Sequence, residues 1–167
     1  KILDAAGNIL NVDFSYSSYL NLSNFIAKYA LDTSYLNAEL KNYVKDKNFY
    51  TAYFLASKYL DYSILTNKGL RKKIINLAEI YVRESQSFLE NNTVDDKSTL
   101  TERAELLELY SDLIIDKPRK VLRVVRRMEK DSVSKTNESK VAFLRYGAHL
   151  LLGDVEEAEQ WKGTVAT

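Results

Sequence analysis

Residues 70 to 90 read Leu70-Arg-Lys-Lys-Ile74-Ile-Asn-Leu77-Ala78-Glu-Ile-Tyr81-Val-Arg-Glu-Ser85-Gln-Ser-Phe88-Leu-Glu90. Leu70, Ile74, Leu77, Ala78, Tyr81, Ser85 and Phe88 recur every three or four positions, the repeat that brings side chains onto one face of an α-helix. Charged and polar residues fill the remaining positions, so this stretch predicts one long amphipathic helix. The same period runs from about Ser15 to the C-terminus.

On the N-terminal side, Leu20, Phe25 and Tyr29 with Leu22 and Ile26 predict a helix over residues 18 to 30, ending before the capping cluster Asp32-Thr33-Ser34. Leu36, Leu40, Tyr43 and Val44 predict the next, broken at Asp46-Lys47-Asn48; Tyr50, Phe54, Leu55, Tyr59 and Tyr62 carry a third. On the C-terminal side, Asn91 to Lys97 is the most polar stretch and the expected joint between subdomains. Thr99-Leu-Thr-Glu102 has capping-box spacing and predicts the start of a helix through Leu107, Ser111 and Ile114. The sole proline, Pro118, suits a helical first turn, predicting a helix over residues 119 to 130. Residues 137 to 152 follow as another, and a short one runs from Asp154 through Trp161. Eight helices joined by short linkers force antiparallel neighbours, so the expected fold is all-α, built of stacked antiparallel helical hairpins. Residues 1 to 12 differ: Ile2-Leu3, a turn at Asp4-Ala-Ala-Gly7-Asn8, then Ile9, Leu10 and Val12 read as strand, turn, strand. A lone hairpin is marginal in water. Residues 1 to 30 are therefore expected to be the end of a preceding fold, with a helical-hairpin domain over 31 to 167.

Composition narrows the chemistry. The 167 residues contain no Cys, which excludes thiolate nucleophiles, redox pairs and cysteine-held zinc. A single histidine, His149, leaves no paired imidazole ligands, and the acidic pairs lack the alternating spacing of a calcium loop. The five glycines are scattered and form no phosphate loop. His149 lies in an apolar helical setting with no nucleophile or orienting carboxylate placed by the sequence, so it reads as a satisfied structural histidine. No catalytic residue, metal or cofactor is expected. No apolar run approaches the roughly 18 residues that cross a bilayer.

Charge is unevenly spread. Residues 117 to 130 hold seven basic groups and one acidic, a net of +6, whereas residues 95 to 116 hold seven acidic and two basic, a net of −5, within a chain of net charge +1. Val121, Val124, Val125 and Met128 mark one face of the basic helix; Arg119, Lys120, Arg123, Arg126 and Arg127, followed by Lys130, cover the rest. The favoured reading pairs the two helices along their flanks. The alternative makes the five from Arg119 to Arg127 a site for nucleic acid or another anion. Nucleic acid is disfavoured because the basic helix carries no base-stacking aromatics. Nine of the twelve tyrosines lie in residues 1 to 62. Tyr50, Tyr53, Tyr59 and Tyr62 are the candidate partner-binding residues, since a tyrosine combines a buried ring with a wet hydroxyl; the competing reading puts them in the core.

Gly153-Asp-Val-Glu-Glu-Ala158 resembles the inter-helix turn of tetratricopeptide repeats, although helical starts near 48, 99 and 137 do not keep that repeat's period of about 34 residues. Ile2-Leu3-Asp4-Ala-Ala-Gly7-Asn8-Ile9-Leu10 resembles the late hairpin of the thioredoxin fold. The helices after it are similar to the helical C-terminal extension of some bacterial thioredoxin-like proteins, including the Ala52-x-x-x-Ala56-x-x-Tyr59-Leu60 segment. That resemblance implies the tail of a larger exported, periplasmic protein whose Cys-x-x-Cys lies upstream; no redox residue carries over. The expected function is non-catalytic: binding a protein or peptide, or bracing the chain's own missing N-terminal domain.

Overall fold

A computed structural model describes residues 34 to 165. The strand-turn-strand and the helix expected within residues 1 to 30 lie outside the described residues. The described chain is all-α, with α1 (Ser34–Lys45), α2 (Phe49–Ile64), α3 (Lys68–Asn91), α4 (Lys97–Ile114), α5 (Pro118–Lys130), α6 (Glu138–Leu152) and α7 (Val155–Val165), plus one 3-10 turn over Lys135–Asn137. The described residues divide into two compact units, 34 to 88 and 89 to 165.

In the first unit, Asn48 stops α1 and starts α2. Its backbone is extended, its side chain accepts from the Thr51 amide at 3.0 Å, and the Thr51 hydroxyl accepts from the Asn48 amide at 3.1 Å. This reciprocal pair satisfies two amides that the first turn of a helix leaves without partners. The far end of α2 is closed by Arg71, whose Nε donates to the Ser63 carbonyl at 3.0 Å and whose Nη2 donates to Ile64 and Thr66 at 3.0 and 2.8 Å. A cation on the negative end of a helix dipole adds to those bonds. Leu36, Leu40 and Tyr43 of α1, Ala52, Leu55, Ala56 and Tyr59 of α2, and Ile74, Ala78 and Tyr81 of α3 are buried. Tyr81 meets Tyr43 edge-on at 5.2 Å and stacks on Tyr59 at 5.8 Å with the planes 4° apart. The Tyr43 hydroxyl donates to Glu84, and burial followed by that bond pushes its phenol far above the ordinary tyrosine range.

In the second unit, α4 and α5, α5 and α6, and α6 and α7 form antiparallel hairpins. Leu106, Leu109 and Leu113 of α4, Val121, Leu122, Val125 and Met128 of α5, and Val141, Leu144 and Ala148 of α6 share one apolar core. Gly147 lets α6 approach α4, since a Cβ there would lie 2.8 Å from Leu113 Cδ2. Pro118 occupies the first turn of α5 as expected. Gly153 ends α6 at φ 81°, with the Asp154 amide donating to the His149 carbonyl at 2.9 Å, and this left-handed turn returns the chain into α7. Ala158 of α7 is fully buried. Trp161 of α7 lies over the Arg145 guanidinium at 4.4 Å.

The expected capping box at Thr99 and Glu102 does not form. Helix α4 begins two residues earlier, after Asp96 in a left-handed conformation with no side-chain cap. Glu102 instead accepts from the Ser134 amide at 3.1 Å and from Asn137 Nδ2 at 2.6 Å. The fully buried Asn137 also donates to the Thr99 carbonyl at 3.2 Å and accepts from Arg103 Nε at 3.4 Å. This polar node ties the α5–α6 connection to the start of α4.

Candidate anion-binding groove on helix α5

Helix α5 has three kinds of surface. Its core face carries Val121, Val125 and Met128, all buried. One flank meets α4, where Lys120 Nζ lies 2.6 Å from Asp112 Oδ2, Lys117 Nζ lies 3.7 Å from Asp112 Oδ1, and Arg127 Nη2 lies 2.5 Å from Glu105 Oε1. These contacts are the flank pairing expected from the opposite charges of the two helices. They also set the direction, because Arg127 meets Glu105 while the earlier Lys120 meets the later Asp112.

The third surface is a straight cationic stripe. Arg119, Arg123, Arg126 and Lys130 follow one another at intervals of four, three and four residues, which holds them on one helical face. All four are exposed. Among the described residues none has a carboxylate within 4.0 Å. Of the five cations singled out in the sequence, Lys120 and Arg127 are therefore neutralised by α4, whereas Arg119, Arg123 and Arg126 are not. Lys130 joins them because it completes the same periodicity.

Beside the stripe runs an open groove of about 530 Å³, which Arg127 also lines. Its floor and far wall are Leu122 of α5, His149 and Leu152 of α6, and Asp154 at the α6–α7 turn. Arg145 of α6 donates through Nε to Glu129 of α5 at 3.0 Å, fixing the register that sets His149 level with the Leu122–Arg126 turn. His149 is 5% exposed, and among the described residues neither ring nitrogen has a hydrogen-bond partner; Nδ1 stands 3.5 Å from Asp154 Oδ2. The sequence reading of a satisfied histidine is thus corrected in one respect: it is buried but not hydrogen-bonded. No hydroxyl or thiol side chain lines the groove with it. Among the described residues no three metal-ligating side chains converge, and no helix is long and apolar enough to cross a membrane.

A second groove, about 620 Å³, lies on the α4 side of α5 and is lined by hydroxyls and by Glu102, Glu105, Arg127 and Asp131. Glu102 and Glu105 are already engaged there, by Asn137 and Arg127, so this surface carries no spare cation.

The four tyrosines do not share a surface. Tyr50 is 48% exposed, Tyr53 is buried, and Tyr59 and Tyr62 are each 1% exposed. Only Tyr50 can meet a partner, with Phe54 one turn further on also exposed.

Asp112 gives the α4–α5 pairing a pH signature. It is buried, and its hydrogen bond with Lys120, outweighing the loss of hydration, raises the lysine above its ordinary value. A base raised in the folded state stabilises the fold below its ordinary value and loses that contribution as pH climbs through its raised one. The gap in thermal midpoint between the wild type and Lys120→Met is therefore expected to be constant from neutral to mildly alkaline pH and to close above the ordinary lysine range. Tyr43 is common to both proteins and cancels. A gap that persists at the alkaline end would show that Lys120 acts only through its aliphatic stem.

No protein-family model, curated protein or solved structure matches the chain.

Proposed function

We propose that the chain is a non-catalytic helical binding module that takes an anionic partner along α5. One observation carries this reading: four cations lie in a single stripe beside an open groove, after the acidic neighbour helix has used only the flanking Lys117, Lys120 and Arg127. Arginine supplies three of the four, and its planar fork suits carboxylates and phosphates better than a lysine ammonium does. The chain's net charge of +1 supplies no general attraction, so anion binding of this kind is local. The resemblance to helical extensions of bacterial thioredoxin-like proteins rests on the sequence; under it, the stripe would be the docking arm of a larger exported protein.

Retention on immobilised heparin tests the reading. Arg123→Glu with Arg126→Glu, and Lys41→Glu with Lys45→Glu on α1, each change the charge by −4, from +1 to −3. The α5 variant is expected to elute at low salt with a reduced salt dependence, and the α1 variant to stay close to the wild type. Equal losses in the two variants would mean that total charge is all the resin senses, and the reading falls.

A further inference from the structure

The α4–α5 hairpin contains its own example of what binds this helix. Glu105 and Asp112 stand seven residues apart on α4 and meet Arg127 and Lys120, which stand seven residues apart on α5. Two antiparallel helices with charges two turns apart therefore fit each other without adjustment, because seven residues advance both by about 10 Å. The open stripe repeats that spacing twice, in Arg119 with Arg126 and in Arg123 with Lys130, and extends for about 16 Å. Along its side the groove offers the partly exposed Leu152 beside the core residue Leu122, and its one aromatic ring, that of His149, is buried. A nucleic-acid strand would find phosphate partners here but nothing on which to stack its bases.

We infer that the occupant of the groove is an acidic amphipathic α-helix of a partner protein, lying along α5. Its carboxylates fall at positions i, i+4, i+7 and i+11, and its apolar residues lie on one flank. The carboxylates meet Arg119, Arg123, Arg126 and Lys130; the apolar flank covers Leu152. Charge complementarity sets the register, and the one-sided apolar flank sets the direction, because the four cations are spaced alike from either end. This rests on the reading of α5 as an anion-binding face and gives that face a partner class.

The test uses the full chain and three labelled probes in fluorescence anisotropy. The first is an ~18-residue peptide with Glu at i, i+4, i+7 and i+11 and Leu at i+3 and i+10, long enough to fold on a template. The second has the same composition with Glu spread round the helix; the third is a single-stranded oligonucleotide. The in-register peptide is expected to bind best, to gain helical circular dichroism on binding, and to exceed the permuted peptide by about tenfold. Arg123→Glu with Arg126→Glu should weaken it by about tenfold or more, and a peptide with its two central Glu changed to Lys should recover binding to that variant. Both arginines are exposed, so the variant keeps the wild-type circular dichroism. Equal binding of the two peptides, or tighter binding of the oligonucleotide, overturns the helix proposal and leaves the anion reading standing. Self-association of the chain with no peptide binding also overturns it. No binding of any probe at low salt removes both.

Discussion

Tyr81→Ala is expected to destabilise the first unit by about 4 kcal/mol, close to a thousandfold in its folding equilibrium. Tyr81 is 2% exposed and contacts two rings from different helices, Tyr43 edge-on and Tyr59 face to face. Truncation removes a large buried side chain, leaves a cavity between α1, α2 and α3, and ends both ring pairs, each worth about 1 kcal/mol beyond its buried area. Tyr43 would then lose the wall that positions its hydroxyl on Glu84. Tyr81→Phe keeps both ring contacts and should cost no more than about 1 kcal/mol. Urea unfolding followed by far-ultraviolet circular dichroism measures both, and a cost for alanine below that for phenylalanine would refute the role given to the ring stack.

Asn137→Asp is expected to be the most damaging conservative change in the second unit, at about 3 kcal/mol near neutral pH. The substitution replaces the donor that sits 2.6 Å from Glu102 Oε1 with a carboxylate oxygen, at a fully buried position. Two carboxylates that close cannot both ionise, so folding would force one to take up a proton. The sign follows: the pair holds one more proton folded than unfolded near neutral pH, so the variant regains stability as pH falls toward about 5 and loses it again as pH rises. Asn137→Leu, which brings no charge, should show a smaller loss without that pH dependence. Trp161, packed on Arg145 within the same unit, reports the unfolding by its fluorescence. An aspartate variant with the same pH profile as the leucine variant would rule out the carboxylate pair.

The node around Asn137 is also where the sequence was hardest to read. Helical period alone marks α1 to α7, because each helix buries a stripe that recurs every three to four residues. Pro118 and Gly153 mark two boundaries through backbone constraints that need no partner. Thr99 and Glu102 have capping-box spacing, yet the partners of Glu102 lie 32 and 35 residues downstream, a distance that no local pattern encodes. The box that does form uses Asn48 and Thr51, where threonine takes the place of the usual acid. The tyrosines fail as a groove for a reason already present in their numbering. Positions 50 and 59 differ by nine residues, about half a turn round a helix, so they face opposite ways. For α5 the basic face was legible, but which cations remain open depends on the register against α4, set by Asp112 and Glu105.

The connections within the second unit are three residues between α4 and α5, seven between α5 and α6, and two between α6 and α7. Each closes a hairpin between sequence neighbours, so closing it costs little chain entropy. Topologies dominated by such contacts reach the native state in microseconds to milliseconds. The acidic and basic helices are thus sequence neighbours joined by one of these short closures, and the flanking cations of α5 find their carboxylates within the same hairpin. The outer stripe stays the only strongly charged edge of α5 throughout assembly, which keeps that edge hydrated and biases the growing unit against collapsing onto it.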